Sequence, residues 1–150
     1  MAGLRLRLPL VPRWLRWSLV VAVLATLLVF SVVRPPGTTG RAFGPLGAFP
    51  LTAWLHTIGY AWLAVVLAYA LQPSPRPHSP ILCVVSAFAT AYGAGIELIQ
   101  STLAYRTFDV GDILVNALGA AVSVTGWKLL VRCVRFYRCR RVGALRPPLG

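Results

Sequence analysis

The residues best suited to chemistry are a few ionisable groups that lie in or beside long apolar stretches. All three acids of this 150-residue chain, Glu97, Asp109 and Asp112, fall within sixteen residues, and His56 lies in an earlier apolar stretch. A carboxyl group and an imidazole are common general acids and bases in enzymes. Glu97 and His56 are therefore the candidate catalytic pair. Asp112 is the carboxylate expected to orient His56 or to balance its charge.

These groups lie on or beside four apolar segments, each long enough to form a transmembrane helix. Hydrophobic residues make up 57% of the chain and charged residues only 12%. A soluble domain usually carries about 25% charged residues, and a helix that spans a bilayer needs about 20 mostly apolar ones. Proline, glycine and polar residues, which end helices, separate the segments. The four segments cover residues 14–33, 51–71, 81–103 and 112–131.

The predicted fold is an all-α bundle of four transmembrane helices. It forms one membrane domain, 14–131, between a basic leader, 1–13, and a basic tail, 132–150. A cleaved signal peptide is the alternative for the first segment. That segment is long, however, and ends without the usual small-residue cleavage pattern, so a retained helix is favoured.

The arrangement of basic residues predicts how the bundle is oriented. Cytoplasmic loops carry an excess of Lys and Arg. The region up to Arg16, the loop 72–80 and the region from Lys128 onward hold twelve such residues, against three in the loops on the other side. Both termini are therefore predicted to lie in the cytoplasm. The protein itself is predicted to lie in the cell membrane. The aromatic residues Trp127, Phe136 and Tyr137, with the basic residues of the tail, predict adhesion to membrane lipids at the interface.

This topology places polar side chains from three helices at one depth. With a rise of about 1.5 Å per residue, His56 and Asn116 lie roughly 6–8 Å below the outer boundary, and Glu97 lies roughly 9 Å below it. Helices two to four are expected to form the core, with helix one at the edge. Ordinary hydrogen bonds between helices are the alternative for Asn116 and Gln100, and a helix N-cap is the alternative for Asp109.

Charge and cysteine spacing argue against several other classes of protein. The net charge of +12 would suit nucleic acid, but the arginines flank apolar runs and no nucleic-acid-binding motif accompanies them. Anionic lipid headgroups are the expected counter-charge. Cys83, Cys133 and Cys139 give no disulfide framework and, with His78, no standard metal-binding spacing. We therefore expect no nucleic-acid partner, no cofactor and no metal site.

The order and spacing of the polar residues resemble the VanZ-like family of membrane proteins, over roughly residues 50–125. The matching runs are His56-Thr57-Ile58-Gly59-Tyr60, Tyr92-Gly93-Ala94-Gly95-Ile96-Glu97-Leu98-Ile99-Gln100, Arg106-Thr107-Phe108-Asp109-Val110-Gly111-Asp112 and Asn116-Ala117-Leu118-Gly119. The chain departs from the family by having Thr52 and Ala53 where an Asp-Lys pair commonly precedes the histidine. Arg41 and Arg106 are candidates for the lost cation. The family is named for a factor in low-level teicoplanin resistance, so the resemblance implies a cell-envelope protein with a link to glycopeptide resistance.

The leading interpretation is a polar pocket near the outer face that binds or modifies an envelope lipid or a glycopeptide-like ligand. Tyr60, Gln100 and Asn116 would provide hydrogen bonds, and Arg106 would attract an anionic headgroup because guanidinium matches phosphate geometry. Modification would require an acid–base hydrolase or transferase, which is less favoured because the sequence has no nucleophilic serine motif and no phosphate loop. A small proton-coupled transporter and a non-catalytic assembly protein are the alternatives, and a homo-oligomer stays open.

Overall fold

The computed structural model contains four long helices and two short strands in the part of the chain that it describes. That part comprises residues 6–33, 43–44, 47, 50–72, 78–105 and 108–138. In chain order the elements are β1 (Leu6–Leu10), α1 (Arg13–Val32), α2 (Leu51–Ala70), α3 (His78–Gln100), α4 (Val110–Cys133) and β2 (Val134–Arg138). All four helices are long and apolar enough to cross a membrane. The predicted four-helix fold is confirmed, with helix boundaries that differ from the predicted ones by at most three residues.

The bundle has an apolar exterior and a partly polar interior. Large hydrophobic side chains such as Trp62 on α2 and Leu118 on α4 are exposed on outward-facing surfaces. The buried polar side chains include Glu97, Gln100 and Asn116. Hydrocarbon favours this distribution, because apolar side chains can face lipid while ionisable ones must face the protein interior. The protein is therefore a multi-pass membrane protein.

Small residues bring α2, α3 and α4 close together. The most extensive packing is between α2 and α4, whereas α1 packs against α2 and, to a lesser extent, α3, so that α1 lies at the edge as predicted. At Gly119 of α4, an added Cβ atom would lie 2.5 Å from the carbonyl oxygen of Thr57 on α2. At Gly93 of α3, it would lie 2.6 Å from the amide nitrogen of Asn116. Glycine at both positions permits this close approach of the helices.

Hydrogen bonds from tyrosine and glutamine side chains hold α1 against α3. Each side chain donates to a backbone carbonyl oxygen of α1. The donor–acceptor pairs are Tyr92 with Leu24 (2.7 Å), Gln100 with Ser31 (2.9 Å) and Tyr105 with Val32. The carbonyls of the last helical turn have no partner within the helix, so the bonds to Ser31 and Val32 satisfy groups that would otherwise be orphaned in the membrane.

The leader and the tail pair with each other, which the sequence analysis did not predict. β1 and β2 form a two-stranded parallel sheet, in a register that begins with Leu6 opposite Val134. Phe136 of β2 stacks on Trp127 of α4, with ring centroids 5.8 Å apart, although both were predicted as anchors at the lipid interface. The missed signal is an alternation of apolar and basic residues, the two-residue period of a strand, which covers only the first three residues of each segment. Such short basic segments beside transmembrane helices also fit lipid adhesion, and the pairing joins two segments far apart in sequence.

Arg16 caps the C-terminal end of α2 at the same end of the bundle. Its side chain is buried, and Nη1 donates to the carbonyl oxygens of Tyr69 and Ala70, both at 3.1 Å, and of Gln72. The guanidinium carbon also lies 5.9 Å from the centroid of the Tyr69 ring. Because the C-terminal carbonyls of a helix carry partial negative charge, a cation there stabilises the helix. An arginine counted as an orientation signal is thus also part of the packed bundle.

Candidate functional site

Five polar side chains from three helices meet at the opposite end of the bundle from the strands. We call this group the polar cluster, and it comprises His56 and Tyr60 of α2, Glu97 of α3, and Asp112 and Asn116 of α4. Tyr60, Glu97 and Asn116 are at most 1% exposed. The side chains of His56 and Asp112 are 10% and 21% exposed, so the cluster is buried but reaches the surface.

Helix ends position the cluster. α2 begins directly after Pro50, which places His56 in its second turn. α4 begins where the Oδ1 atom of Asp109 accepts a hydrogen bond from the N–H of Gly111 at 2.7 Å, a side-chain N-cap. Asp112 then lies in the first turn, where a carboxylate is stabilised by the helix dipole. The alternative role predicted for Asp109, as a cap, is therefore the one the structure supports.

His56 has a different neighbour on each ring nitrogen. Its Nδ1 lies 3.1 Å from the Oδ1 atom of Asn116, and its Nε2 lies 3.8 Å from the Oδ2 atom of Asp112. Because an amide oxygen only accepts, Nδ1 donates in this hydrogen bond. The ring also stacks on Tyr60, with centroids 6.2 Å apart. Asn116 therefore makes the hydrogen bond that orients the imidazole, a role the sequence analysis gave to Asp112.

Glu97 is tied to α4 by one oxygen only. Its Oε2 accepts a hydrogen bond from the backbone N–H of Asp109 at 3.3 Å. Its Oε1 is buried and makes no hydrogen bond to any residue that the structure describes. The same holds, within the described part of the chain, for the hydroxyl of Tyr60 and the amide nitrogen of Asn116. Buried polar groups almost always have partners, so three exceptions in one cluster are unusual.

The three ionisable groups of the cluster converge. One ring nitrogen of His56 and one carboxylate oxygen each of Glu97 and Asp112 lie within 4.8 Å of one another. Three helices that are far apart in the sequence thus bring one base and two acids together. The arrangement can donate and accept protons, accept hydrogen bonds from a ligand, or share a positive charge.

Of two further predicted ligand-binding residues, one bonds to a different helix and the other is not among the described residues. Gln100 is buried but donates its amide hydrogen to Ser31 of α1, so it serves helix packing. Arg106 lies outside the described residues, and its predicted contact with an anionic headgroup stays a prediction. Spacing alone could not say which neighbouring helix the side chain of Gln100 reaches, and its predicted depth in the membrane stays a prediction.

A shallow apolar groove lies between α2 and α4. It measures about 250 Å³ and is lined by Ala53, Trp54, Thr57, Val115 and Leu118. In the sequence, Ala53, Thr57 and Leu118 stood out only through the family resemblance, and Trp54 and Val115 carried no chemical signal. The groove offers contacts to hydrocarbon and adds no reactive group.

The family resemblance predicted from the sequence is tested by comparison with known proteins. The chain is 27% identical to an uncharacterized protein of Schizosaccharomyces pombe, over 116 residues that cover 77% of this chain and 68% of the relative. No solved structure matches the chain. The family model described as VanZ/LLP1 matches residues 19–131, which adds α1 to the region that resembled the family in sequence. The chain, with its four apolar helices and its polar cluster, therefore belongs to the VanZ/LLP1 family.

Proposed function

We propose that this membrane protein binds the polar headgroup of an envelope lipid in the polar cluster, at the outer leaflet of the cell membrane. The observation that carries the proposal is the set of unpartnered buried atoms: the hydroxyl of Tyr60, one oxygen of Glu97 and the amide nitrogen of Asn116. They come from α2, α3 and α4 and lie among groups that contact one another. Together they provide a donor and acceptor set of the kind that a hydroxyl, amine or phosphate group can satisfy.

A purely structural role explains the cluster less well. Polar residues that only hold helices together are expected to satisfy one another, as Tyr92 does with Leu24. A buried polar group without a partner costs several kcal/mol in hydrocarbon, where no water replaces the missing bond. A ligand that enters beside the partly exposed Asp112 would supply these partners.

The distribution of basic residues supports placing this site at the outer leaflet. In the sequence, twelve Lys and Arg residues lie up to Arg16, in the stretch 72–80 or from Lys128 onward, next to the helix ends nearest the strands, and three lie in the stretches 34–50 and 104–111. By the positive-inside rule the strand end faces the cytoplasm. The polar cluster then lies just below the outer surface, within reach of lipid headgroups.

Lipid retention by purified protein tests the proposal. Wild-type protein extracted in mild detergent is expected to keep a bound lipid that native mass spectrometry detects and identifies. Glu97→Gln and His56→Ala are expected to lose it, because each removes a group of the cluster. Thr125→Ala is the matched control, since its hydroxyl is exposed and, among the described residues, bonds only to Ala121 of its own helix. Equal retention by the cluster variants and the control would overturn the proposal.

Chemical modification of the lipid is a second candidate, favoured by the convergence of His56, Glu97 and Asp112. An acid and a base at one point can catalyse hydrolysis or transfer. Release of a headgroup or sugar by wild-type protein, lost in Glu97→Gln, would establish an enzyme. Unchanged lipid after prolonged incubation would leave binding as the function.

Glycopeptide resistance is the cellular expectation that follows from family membership. Expression in a bacterium sensitive to teicoplanin is expected to raise the inhibitory concentration of the drug. Glu97→Gln is expected to abolish the increase if resistance depends on the polar cluster. No increase with wild-type protein would separate this chain from that activity of the family, without bearing on lipid binding.

A further inference from the structure

We propose that His56, Glu97 and Asp112 bind a divalent metal ion. The sequence predicted no metal site, because no standard ligand spacing is present and the three residues lie on three different helices. The structure brings one ligand atom from each of them together. The ion site itself does not depend on the proposed lipid binding. The further inference that the ion contacts a lipid headgroup does rest on that proposal.

The distances fit an ion after a small adjustment. Ligand atoms at about 2.0–2.2 Å from one ion lie at most about 4.4 Å apart, which is the separation of two opposite ligands. The three atoms here lie within 4.8 Å of one another, and Nε2 of His56 lies 3.8 Å from Oδ2 of Asp112. We expect rotation of the carboxylate side chains to close the remaining distance.

The hydrogen bond between His56 and Asn116 is the arrangement found behind metal-binding histidines. A histidine that binds a metal through one nitrogen usually donates from the other to a carbonyl or carboxylate oxygen, which fixes its tautomer and orientation. Here Nδ1 of His56 donates to the amide oxygen of Asn116 at 3.1 Å. In the neutral ring the lone pair is then on Nε2, the nitrogen that points towards Asp112.

Charge balance points to a cation as well. Two carboxylates, Glu97 and Asp112, face the same point, and the basic side chain that the structure describes beside them is His56. The buried Oε1 of Glu97 has no hydrogen-bond partner among the described residues, although Glu97 is 1% exposed. Like charges in a medium of low dielectric constant repel strongly unless a positive charge lies between them. A divalent ion would balance the charge of both carboxylates, and the unpartnered oxygen of Glu97 could bind to it.

The donor set selects among metals. One imidazole nitrogen and two carboxylate oxygens suit Mn²⁺, Zn²⁺ or Fe²⁺, whereas Mg²⁺ and Ca²⁺ prefer sites made of oxygen alone. Three protein ligands also leave coordination positions for a further group, as in open metal sites. If the protein binds a lipid as proposed above, that further group is an oxygen of the lipid headgroup. The ion would turn a negatively charged cluster into a site for an anionic group.

Manganese binding to purified, full-length protein tests the proposal. The protein is stripped with EDTA in detergent, titrated with Mn²⁺ and followed by electron paramagnetic resonance. Wild-type protein is expected to bind the ion with a nitrogen coupling from His56. His56→Ala, Glu97→Gln and Asp112→Asn are each expected to weaken binding at least about tenfold, since even changes behind the ligands cost about 10–100-fold. Asp109→Asn is the matched control, because it removes a neighbouring carboxylate that caps α4 and is not one of the three ligands.

The outcomes separate the ion from the lipid. Weak, nitrogen-free binding by wild-type protein, or equal binding by Asp112→Asn and Asp109→Asn, would overturn the metal site. The nitrogen coupling is measured on wild-type protein, so it decides the matter even if a variant fails to fold. Lipid retained by protein that binds no Mn²⁺ would overturn the metal site alone. Bound Mn²⁺ in protein that retains no lipid would support the metal site and contradict the lipid proposal.

Discussion

Asn116 connects the parts of the polar cluster at the level of single residues. Its amide oxygen accepts a hydrogen bond from His56 of α2, and its amide nitrogen packs against Gly93 of α3. An amide joins three helices without adding a charge to a site that already has two carboxylates. The orientation of His56, and with it any chemistry of the cluster, depends on this side chain.

Replacing Asn116 with alanine is expected to destabilise the bundle and to impair ligand binding together. The N–H of His56 would lose its partner in a buried site, which costs about 1–3 kcal/mol. Unfolding in increasing dodecyl sulfate, followed by circular dichroism, measures the free energy of unfolding, and native mass spectrometry measures retained lipid. Thr125→Ala should leave both unchanged. A variant at Asn116 that matches this control in both measurements would show that the hydrogen bond does not organise the site.

The sequence predicted which residues would meet more accurately than it predicted their partners. Ionisable groups are so costly in lipid that His56 and Glu97 stood out from composition and spacing alone. Their depth could be calculated because helix rise is constant. Gln100 satisfied the same criteria, yet its amide bonds to Ser31 of α1. Depth and helical face do not specify which neighbour a long, flexible side chain reaches.

At the level of elements, the site exists because α2 and α4 approach closely. Gly119 lies against the backbone of Thr57, one turn beyond Asn116 on α4. Backbone atoms cannot move aside as a flexible side chain can. The separation of the two helices, and so the distance between His56 and Asp112, is set by the absence of a side chain at this position.

Gly119→Ala is therefore expected to force α2 and α4 apart. The added Cβ atom would lie 2.5 Å from a backbone oxygen, and overpacking of this kind costs about 1–3 kcal/mol. Gly126→Ala, in the same helix, is the matched control, because nothing lies within 4 Å of its added Cβ atom. Alanine also favours helix by about 0.5–1 kcal/mol relative to glycine. Thermal unfolding in detergent should rank the proteins as Gly126→Ala, wild type, Gly119→Ala, and equal stability of the two variants would contradict the packing.

Helix boundaries were predictable to within a few residues, whereas the strands were not predicted. Apolar length and helix-breaking residues located all four helices. The cap at Asp109 explains why α4 begins at Val110, two residues before the predicted start. β1 and β2 are five residues each, and their pairing joins the two ends of the described chain. A short alternating pattern does not reveal a partner so distant in sequence.

At the level of the whole molecule, the polar cluster must face the outside of the cell to bind a lipid of the outer leaflet. The helices alone do not define a direction across the membrane, so orientation is predicted from the basic residues. Whether the protein forms a homo-oligomer, which the sequence left open, is likewise a property of the assembled protein. The family match extends over all four helices, so orientation and assembly are treated as properties of the whole bundle.

Labelling of single cysteines tests the orientation. Ser101 is exposed just beyond α3 at the cluster end, and Cys133 is exposed at the end of α4 on the opposite side. In intact cells, an impermeant maleimide is expected to label a protein whose single cysteine is Ser101→Cys. A protein whose single cysteine is Cys133 should be labelled only after the cells have been permeabilised. The reverse pattern would place the cluster on the cytoplasmic side.

We propose that side chains from separate helices form one ligand site, and a double-mutant cycle on lipid retention tests this between α2 and α4. His56→Ala, Asp112→Asn and their combination are compared by native mass spectrometry of purified protein. If the two side chains share one site, each single change lowers the fraction of lipid retained and the double variant loses little more, because contacting residues act as a unit. Undiminished retention in the single variants, or losses that multiply in the double variant as for independent sites, would show that these side chains do not form one site.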